Sequence, residues 1–171
     1  ARKVVKSFDI PFLFMSYYNI LFKYGVDRFA GAMHNSGIVG AIVPDLPPEE
    51  GEDYLDAMEK HHLSPIFIFS PTTPEERMTY LNAFGKGFIY CVARKGVTGV
   101  STDFSKQLEE YLLRCRRATD LPLALGFGVK EKEDVDFLKG KADIAVIGSQ
   151  TVRVMENDGI EAVGRFIRNL R

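Results

Sequence analysis

The stretch LPLALGFGV, residues 121–129, contains a short apolar run that ends in two glycines around one phenylalanine. Such a run, followed by a segment with helical periodicity, predicts a buried strand that turns directly into a helix. Gly126 and Gly128 have no Cβ, so the backbone at this turn can approach a ligand closely. Because amides just ahead of a helix N-terminus favour an anion, we expect an anionic ligand here.

A second turn of the same design lies downstream. Residues 144–147 are apolar, Gly148 and Ser149 follow, and a helical pattern begins at Ser149. In (β/α) barrels, a phosphate is often bound by the turns that follow strands seven and eight, where the backbone is not covered by side chains. Each turn alone is equally well explained as a tight connection, but the pair favours a phosphate site.

The composition indicates one sizeable core and argues against several classes of protein. The chain has 171 residues, of which 46% are hydrophobic and 26% charged, and its formal net charge is −1. This balance gives no sign of a nucleic-acid-binding surface, and we find neither an apolar run of membrane length nor a secretory signal. Cys91 and Cys115 lack metal-binding or redox spacing, which indicates reduced thiols in the cytoplasm. The histidines also lack partners at metal-ligand spacing, so we expect no metal site.

The order of strands and helices predicts an α/β fold with a parallel sheet. Predicted strands begin near residues 11, 40, 65, 88, 122 and 144, and a helix follows each, with residues 17–24 predicted as a loop after the first strand. The strands do not alternate between apolar and polar residues, which is typical of strands buried on both faces. A doubly wound open sheet would fit six such units. A (β/α)8 barrel needs eight units in roughly 250 residues. We interpret residues 1–171 as a single, incomplete TIM-barrel domain that holds about the last six units.

Five motifs, in this order, resemble the tryptophan synthase alpha subunit family: YYN (17–19), VPDLPPEE (43–50), RKGVTG (94–99), GFG (126–128) and GS (148–149). The resemblance covers essentially the whole chain. It implies a (β/α)8 barrel that cleaves indole-3-glycerol phosphate to indole and glyceraldehyde 3-phosphate by a retro-aldol reaction. It also implies a cytoplasmic enzyme of tryptophan biosynthesis in an alpha2-beta2 type complex. Its beta subunit carries pyridoxal phosphate and receives indole through a tunnel, whereas the alpha chain has no cofactor.

The resemblance also implies roles for individual residues. The substrate phosphate would contact Gly99, Gly126, Phe127, Gly128, Gly148 and Ser149. Residues 93–101 correspond to a lid that closes over the substrate, in which Thr98 supports catalysis, and Tyr90 lines the site near the catalytic carboxylates. The apolar pocket for the indole would be lined by Met15, Tyr17, Ile42 and Ile68. The interface with the beta subunit would include Asn19, Phe22, Asp45 and Pro47.

Three departures from the family pattern are visible. The two catalytic carboxylates of the family would lie upstream of Ala1, so we expect no catalytic acid or base in this chain and no activity from these residues alone. Lys130 stands where a small or capping residue is usual, and Ala93 where a serine is usual.

Several alternatives remain open at this stage. Asp45 follows a predicted strand. Without the resemblance, it is either the first candidate for an acid–base residue or a turn residue without a catalytic role. Tyr90 and the indole-pocket residues are also compatible with an ordinary core. At the level of function, the alternatives are a non-catalytic phosphate-binding fragment or partner-binding scaffold, and another phosphate-substrate barrel such as an isomerase. The PDLPPEE segment argues against the isomerase.

Overall fold

The computed structural model describes residues 1–93, 101–126 and 128–171, without the side chains of residues 101–105. In the described residues, strands and helices alternate along most of the chain, as the sequence predicts. The strands are β1 (Phe12–Met15), β2 (Ile38–Ile42), β3 (Ser64–Ile66), β4 (Ile68–Phe69), β5 (Ile89–Val92), β6 (Leu123–Gly126) and β7 (Ile144–Ala145). The helices are α1 (Arg2–Val5), α2 (Tyr18–Tyr24), α3 (Val26–His34), α4 (Glu52–Lys60), α5 (Glu75–Asn82), α6 (Ser101–Ala118), α7 (Lys132–Leu138), α8 (Ser149–Asp158) and α9 (Ile160–Asn169), with a 3-10 turn at Pro48–Glu50.

The chain divides into two compact units. The first comprises Ala1–Ile68 and Thr79–Ile89, and the second comprises Phe69–Met78 and Tyr90–Arg171. The interpretation of residues 1–171 as a single domain stays a prediction.

The first unit contains a sheet in the order β1-β2-β3, and both pairs of strands are parallel. Gly40 of β2 lies beside Leu13 and Ser64 in the ladder. A Cβ on Gly40 would come within 2.4 Å of the Ser64 carbonyl oxygen, so only glycine fits at this strand position. Helices α3 and α4 bury Met33 and Met58 in the core of this unit.

The second unit is built on a sheet in the order β4-β5-β6-β7, in which β6 and β7 run parallel. Helix α6 buries one face, including Tyr111, whose hydroxyl donates a 2.7 Å hydrogen bond to the carbonyl oxygen of Phe69. Cys91 and Cys115 are both buried free thiols. The neighbouring Cys115 thiol and burial together raise the pKa of Cys91, so this thiol stays protonated.

The third predicted strand, residues 65–69, is two strands in the structure. Strand β3 pairs with β2, whereas β4 begins two residues later and belongs to the other sheet. An apolar run shows that a segment is buried but not which neighbour each of its residues pairs with. The prediction of one continuous strand here is therefore wrong.

The segment after β1, predicted as a loop, is helix α2. Gly25 ends this helix with a φ of +95°, and its N–H donates to the carbonyl oxygens of Leu21 and Phe22. At the other end, the Asp45 carboxylate accepts the N–H of Tyr18 at 2.9 Å and 3.2 Å. Leu21 is fully buried and fixes the helix on the core. The start of α2 thus depends on a carboxylate far along the chain, which local sequence does not reveal.

None of the helices among the described residues combines the length and the apolarity that a membrane span requires.

Removal of the Asp45 carboxylate should destabilise α2. We expect Asp45→Ala to lower the free energy of unfolding by about 1 kcal/mol, the usual cost of a lost helix cap. Asp45→Asn should retain most of the stability, because an amide oxygen still accepts the Tyr18 N–H. Urea denaturation measures both, with Asp9→Ala as the control for removing an exposed aspartate. If Asp45→Ala is no more damaging than Asp9→Ala, the carboxylate does not hold the helix.

Candidate phosphate site

A cavity of about 360 Å³ lies in the second unit where β6 and β7 end. Both glycine turns contribute to its wall, as the sequence predicts for a shared site. It is lined by Tyr90, Gly126, Gly128, Val129, Lys130, Val146, Gly148, Ser149, Gln150 and Arg153. The structure therefore brings together four of the residues predicted to contact phosphate, while their role in binding phosphate stays a prediction.

The two glycines of the first turn are required for different reasons. A Cβ on Gly126 would lie 2.6 Å from the Tyr90 hydroxyl oxygen, so the close approach of this ring requires glycine. Gly128 has a φ of +88°, and nothing lies within 4 Å of the position its Cβ would occupy. Here glycine is favoured by the backbone conformation rather than by crowding. The open space beside Gly128 leaves its backbone accessible from the cavity.

Two helices begin at the edge of this cavity, and only one of them is capped by side chains. At the start of α7, Glu131 and Asp134 form a reciprocal capping box. The buried Asp134 carboxylate also accepts the N–H of Lys130 at 2.8 Å. By contrast, α8 begins after Gly148 without a side-chain cap. The first amides of a helix have no intrahelical partner, so the start of α8 retains donors for a ligand.

The charges around the cavity also favour an anion. Lys130 and Arg153 carry the positive charges, and Ser149 and Gln150 add a hydroxyl and an amide. Among the described residues that line the cavity, none is acidic. An anion would thus meet hydrogen-bond donors and positive charge, with the partial positive charge of the α8 N-terminus added.

Sequence reasoning missed Arg153 and treated Lys130 only as a departure from the family pattern. Arg153 follows Ser149 by four positions, and residues at that spacing share one face of a helix. This spacing was the available signal for Arg153. For Lys130 the signal was its position directly after the GFGV turn.

The remaining predicted residues of this region are only partly described. Tyr90 is half-buried and reaches the cavity beside Gly126. Ala93, at the start of the predicted lid, donates its N–H to the carbonyl oxygen of Gly126 at 3.0 Å. Thr98, Gly99 and Phe127 lie outside the described residues.

The four residues predicted to surround the indole all belong to the first unit. Met15 and Ile42 are direct neighbours across β1 and β2, but Ile42 is buried whereas Met15 is exposed. Tyr17 is exposed, and Ile68 is half-buried. Exposed apolar side chains beside a strand end are compatible with an aromatic ligand, and the indole pocket stays a prediction.

The residues predicted for the partner interface are also in the first unit. Asn19 and Phe22 lie on α2 and are exposed, and Pro47 is half-buried just ahead of the 3-10 turn. Asp45 links the two segments through the amide of Tyr18. Its carboxylate therefore has a structural task, which weakens the alternative that it acts as an acid–base group.

Parallel strands that lead into helices, with a donor-lined cavity beyond two strand ends, point to the class of (β/α) barrels. The comparisons with known proteins then give the family. The model of the tryptophan synthase alpha chain family matches residues 1–169, and the chain belongs to this family.

The similarity to individual relatives is high and spans this whole chain. The tryptophan synthase alpha chain of Syntrophotalea carbinolica is 64% identical over 171 residues, which are 100% of this chain and 68% of that protein. The corresponding chain of Methanosarcina acetivorans is 40% identical, over 94% of this chain and 61% of that protein. The chain thus spans about two thirds of the length of these relatives.

Solved structures give the same result for the fold. Tryptophan synthase subunit alpha from Campylobacter jejuni aligns with a TM-score of 0.89 at 30% identity, over 99% of this chain and 69% of that one. The tryptophan synthase complex from Pyrococcus furiosus aligns with a TM-score of 0.86 at 27% identity, again over 99% and 69%. The predicted family and barrel fold are confirmed, and the family places the chain in tryptophan biosynthesis. The alternative of a non-catalytic scaffold is not favoured.

A charge placed at Gly148 tests the site. The φ of Gly148 is −115° and its Cβ would meet open space, so side chains fit there without crowding. Asp and Asn are both good helix N-caps, but only Asp brings a negative charge. In calorimetry with glycerol 3-phosphate, we expect Gly148→Asp to bind at least about tenfold more weakly than Gly148→Asn, from repulsion between close like charges. Equal affinities of the two variants would mean that no anion sits at this turn.

Proposed function

We propose that the protein to which this chain belongs cleaves indole-3-glycerol phosphate to indole and glyceraldehyde 3-phosphate, and that this chain holds the phosphate of the substrate. The observation that carries the proposal is the uncapped start of α8, which faces the cavity together with the glycine turn after β6. The membership in the tryptophan synthase alpha chain family supports the choice of substrate.

Binding of the phosphate would position the substrate for a reaction at another part of the same molecule. When one end of a ligand is fixed, the reacting atoms at the other end are held close to the catalytic groups, and part of the entropic barrier is removed. The amides of α8 and the backbone at Gly128 suit a tetrahedral group with several acceptor oxygens. The Tyr90 side chain lines the same cavity.

The bond cleavage requires one acid and one base. An acid must protonate the ring carbon of the indole, and a base must take the proton from a glycerol hydroxyl. We assign neither role to a residue of this chain, because the family resemblance places both carboxylates upstream of Ala1. The chain would contribute substrate binding without any cofactor of its own, and pyridoxal phosphate would belong to the beta subunit.

Indole release tests this assignment. We expect the full-length protein to release indole from indole-3-glycerol phosphate and the 171 residues alone to release none. Circular dichroism of the 171-residue chain provides the control that it is folded. Absence of indole from the full-length protein, with and without beta subunit, would reject the proposed reaction. Indole from the 171 residues alone would show that the acid and the base lie within this chain.

We further propose that α2 and the segment 44–50 bind the beta subunit. Phe22 is 71% exposed on α2, and Ile20 of the same helix is 53% exposed. The hydrogen bond between Asp45 and Tyr18 joins the two segments, and the prolines at positions 44, 47 and 48 stiffen the second one. A rigid surface loses less conformational entropy on association. The likeness to the Pyrococcus furiosus tryptophan synthase complex supports a partner subunit.

The double variant Phe22→Asp with Pro47→Asp tests this surface. A carboxylate buried without a partner at an interface costs roughly 2–5 kcal/mol, so binding to a beta subunit should weaken by more than tenfold in calorimetry. Ile160→Asp on α9 is the control, because Ile160 is 74% exposed and thus closely matched to Phe22. We expect the control to bind normally and the intrinsic release of indole by the double variant to persist. Normal association of the double variant would reject this surface as the interface.

A further inference from the structure

We propose that the side chains of Arg153 and Lys130 bind the phosphate directly and make the site selective for dianionic phosphate monoesters over monoanionic ligands of similar shape. This inference rests on the proposed function and refines its binding site. The family resemblance assigns the phosphate to backbone amides and one hydroxyl, all of them neutral groups. The structure adds two positive charges to the same cavity.

Arg153 is placed for this role by the helix that carries Ser149. Both residues line the cavity, and their spacing of four residues puts them one turn apart on the same face of α8. Within the described part of the chain, no ion pair or hydrogen bond of the Arg153 guanidinium is found. Two other arginines of this unit have their charge neutralised by ion pairs: Arg116 pairs with Asp143 at 2.5 Å and Arg117 with Glu75 at 2.7 Å.

Lys130 enters the cavity from the other turn. Its backbone N–H is occupied by the Asp134 carboxylate, so its ammonium group is what it can offer to a ligand. In the described residues this ammonium has no carboxylate partner either. Nearby lysines are paired: Lys139 with Asp136 at 2.5 Å and Lys141 with Glu109 at 3.3 Å. The two basic side chains at the cavity thus have their charge available for a ligand.

The ligand that matches this charge is a phosphate monoester. At neutral pH such a group carries a charge of about −1.5 to −2, whereas a helix N-terminus contributes only about half a positive charge. The two cations, Lys130 and Arg153, are sufficient to balance the charge that the helix leaves uncompensated. The planar guanidinium of Arg153 can donate two parallel hydrogen bonds to phosphate oxygens, and the Lys130 ammonium acts as a point charge. A phosphodiester has one negative charge less and gains less from this pair.

The experiment compares two ligands of nearly the same shape in calorimetry with the full-length protein: glycerol 3-phosphate and its methyl phosphodiester. We expect Arg153→Met to weaken binding of the monoester by roughly tenfold and Lys130→Met by a few-fold, as for the loss of charge-assisted hydrogen bonds. The diester should lose clearly less in both variants. Arg153→Lys should restore part of the affinity, because it keeps the charge without the planar fork.

Arg165→Met is the matched control, since Arg165 is exposed on α9 and does not line the cavity. It should leave both affinities unchanged, and a normal melting temperature shows that each variant is folded. Raising the salt from about 20 to about 200 mM should weaken monoester binding more in the unmodified protein than in Arg153→Met, because salt screens the added attraction.

Two results would overturn the inference in distinguishable ways. Unchanged monoester affinity in the double variant Arg153→Met with Lys130→Met would reject the role of these side chains and leave the proposed function intact. Absence of glycerol 3-phosphate binding by the unmodified protein would reject the phosphate site itself, and the assay of indole release then decides separately on the reaction.

Discussion

The capping box at the start of α7 is the constraint on which the proposed anion site depends. Two helices begin beside one cavity, and without caps both would offer amides to a ligand. The Asp134 carboxylate accepts the amides of Lys130 and Glu131, at 2.8 Å and 3.3 Å, so these two amides are not available to a ligand. The second helix begins at Gly148, which has no side chain to cap it. The difference between a carboxylate at one start and a glycine at the other therefore favours α8 as the proposed anion-binding helix.

The fold places the start of α8 beside the glycine turn that follows β6. Strands β6 and β7 are parallel neighbours, with Ala124 beside Ile144 and Leu125 beside Ala145, so the turns that follow them emerge at the same edge of the sheet. Gly126 lets the Tyr90 ring approach the end of β6, and Gly128 opens the turn beyond it. Gly126 is thus required for packing at the end of β6, whereas Gly128 is required for the backbone conformation of the turn.

Much of this could be predicted from the sequence, because the features that carry it are local. Glycines after apolar runs, and a serine where a helix begins, identified the two turns and their meeting at one site. The predictions that failed concern elements whose structure depends on residues far away in the sequence. The helix at residues 18–24 begins at a carboxylate from position 45, and the strand at residues 64–69 divides between two sheets according to its neighbours. Arg153 was missed because a charged residue on a helix is usually exposed to solvent without a role in binding. Its position at the cavity depends on where the helix begins.

The most direct test of the account is to identify which amides bind the phosphate. Scalar coupling across a hydrogen bond, between an amide nitrogen and the phosphorus of bound glycerol 3-phosphate, can be measured by nuclear magnetic resonance on labelled full-length protein. We expect such coupling from amides at the start of α8, Ser149 first among them. No coupling should come from the amides of Lys130 and Glu131, which the Asp134 carboxylate holds. Coupling from those two amides, with none from α8, would contradict the account.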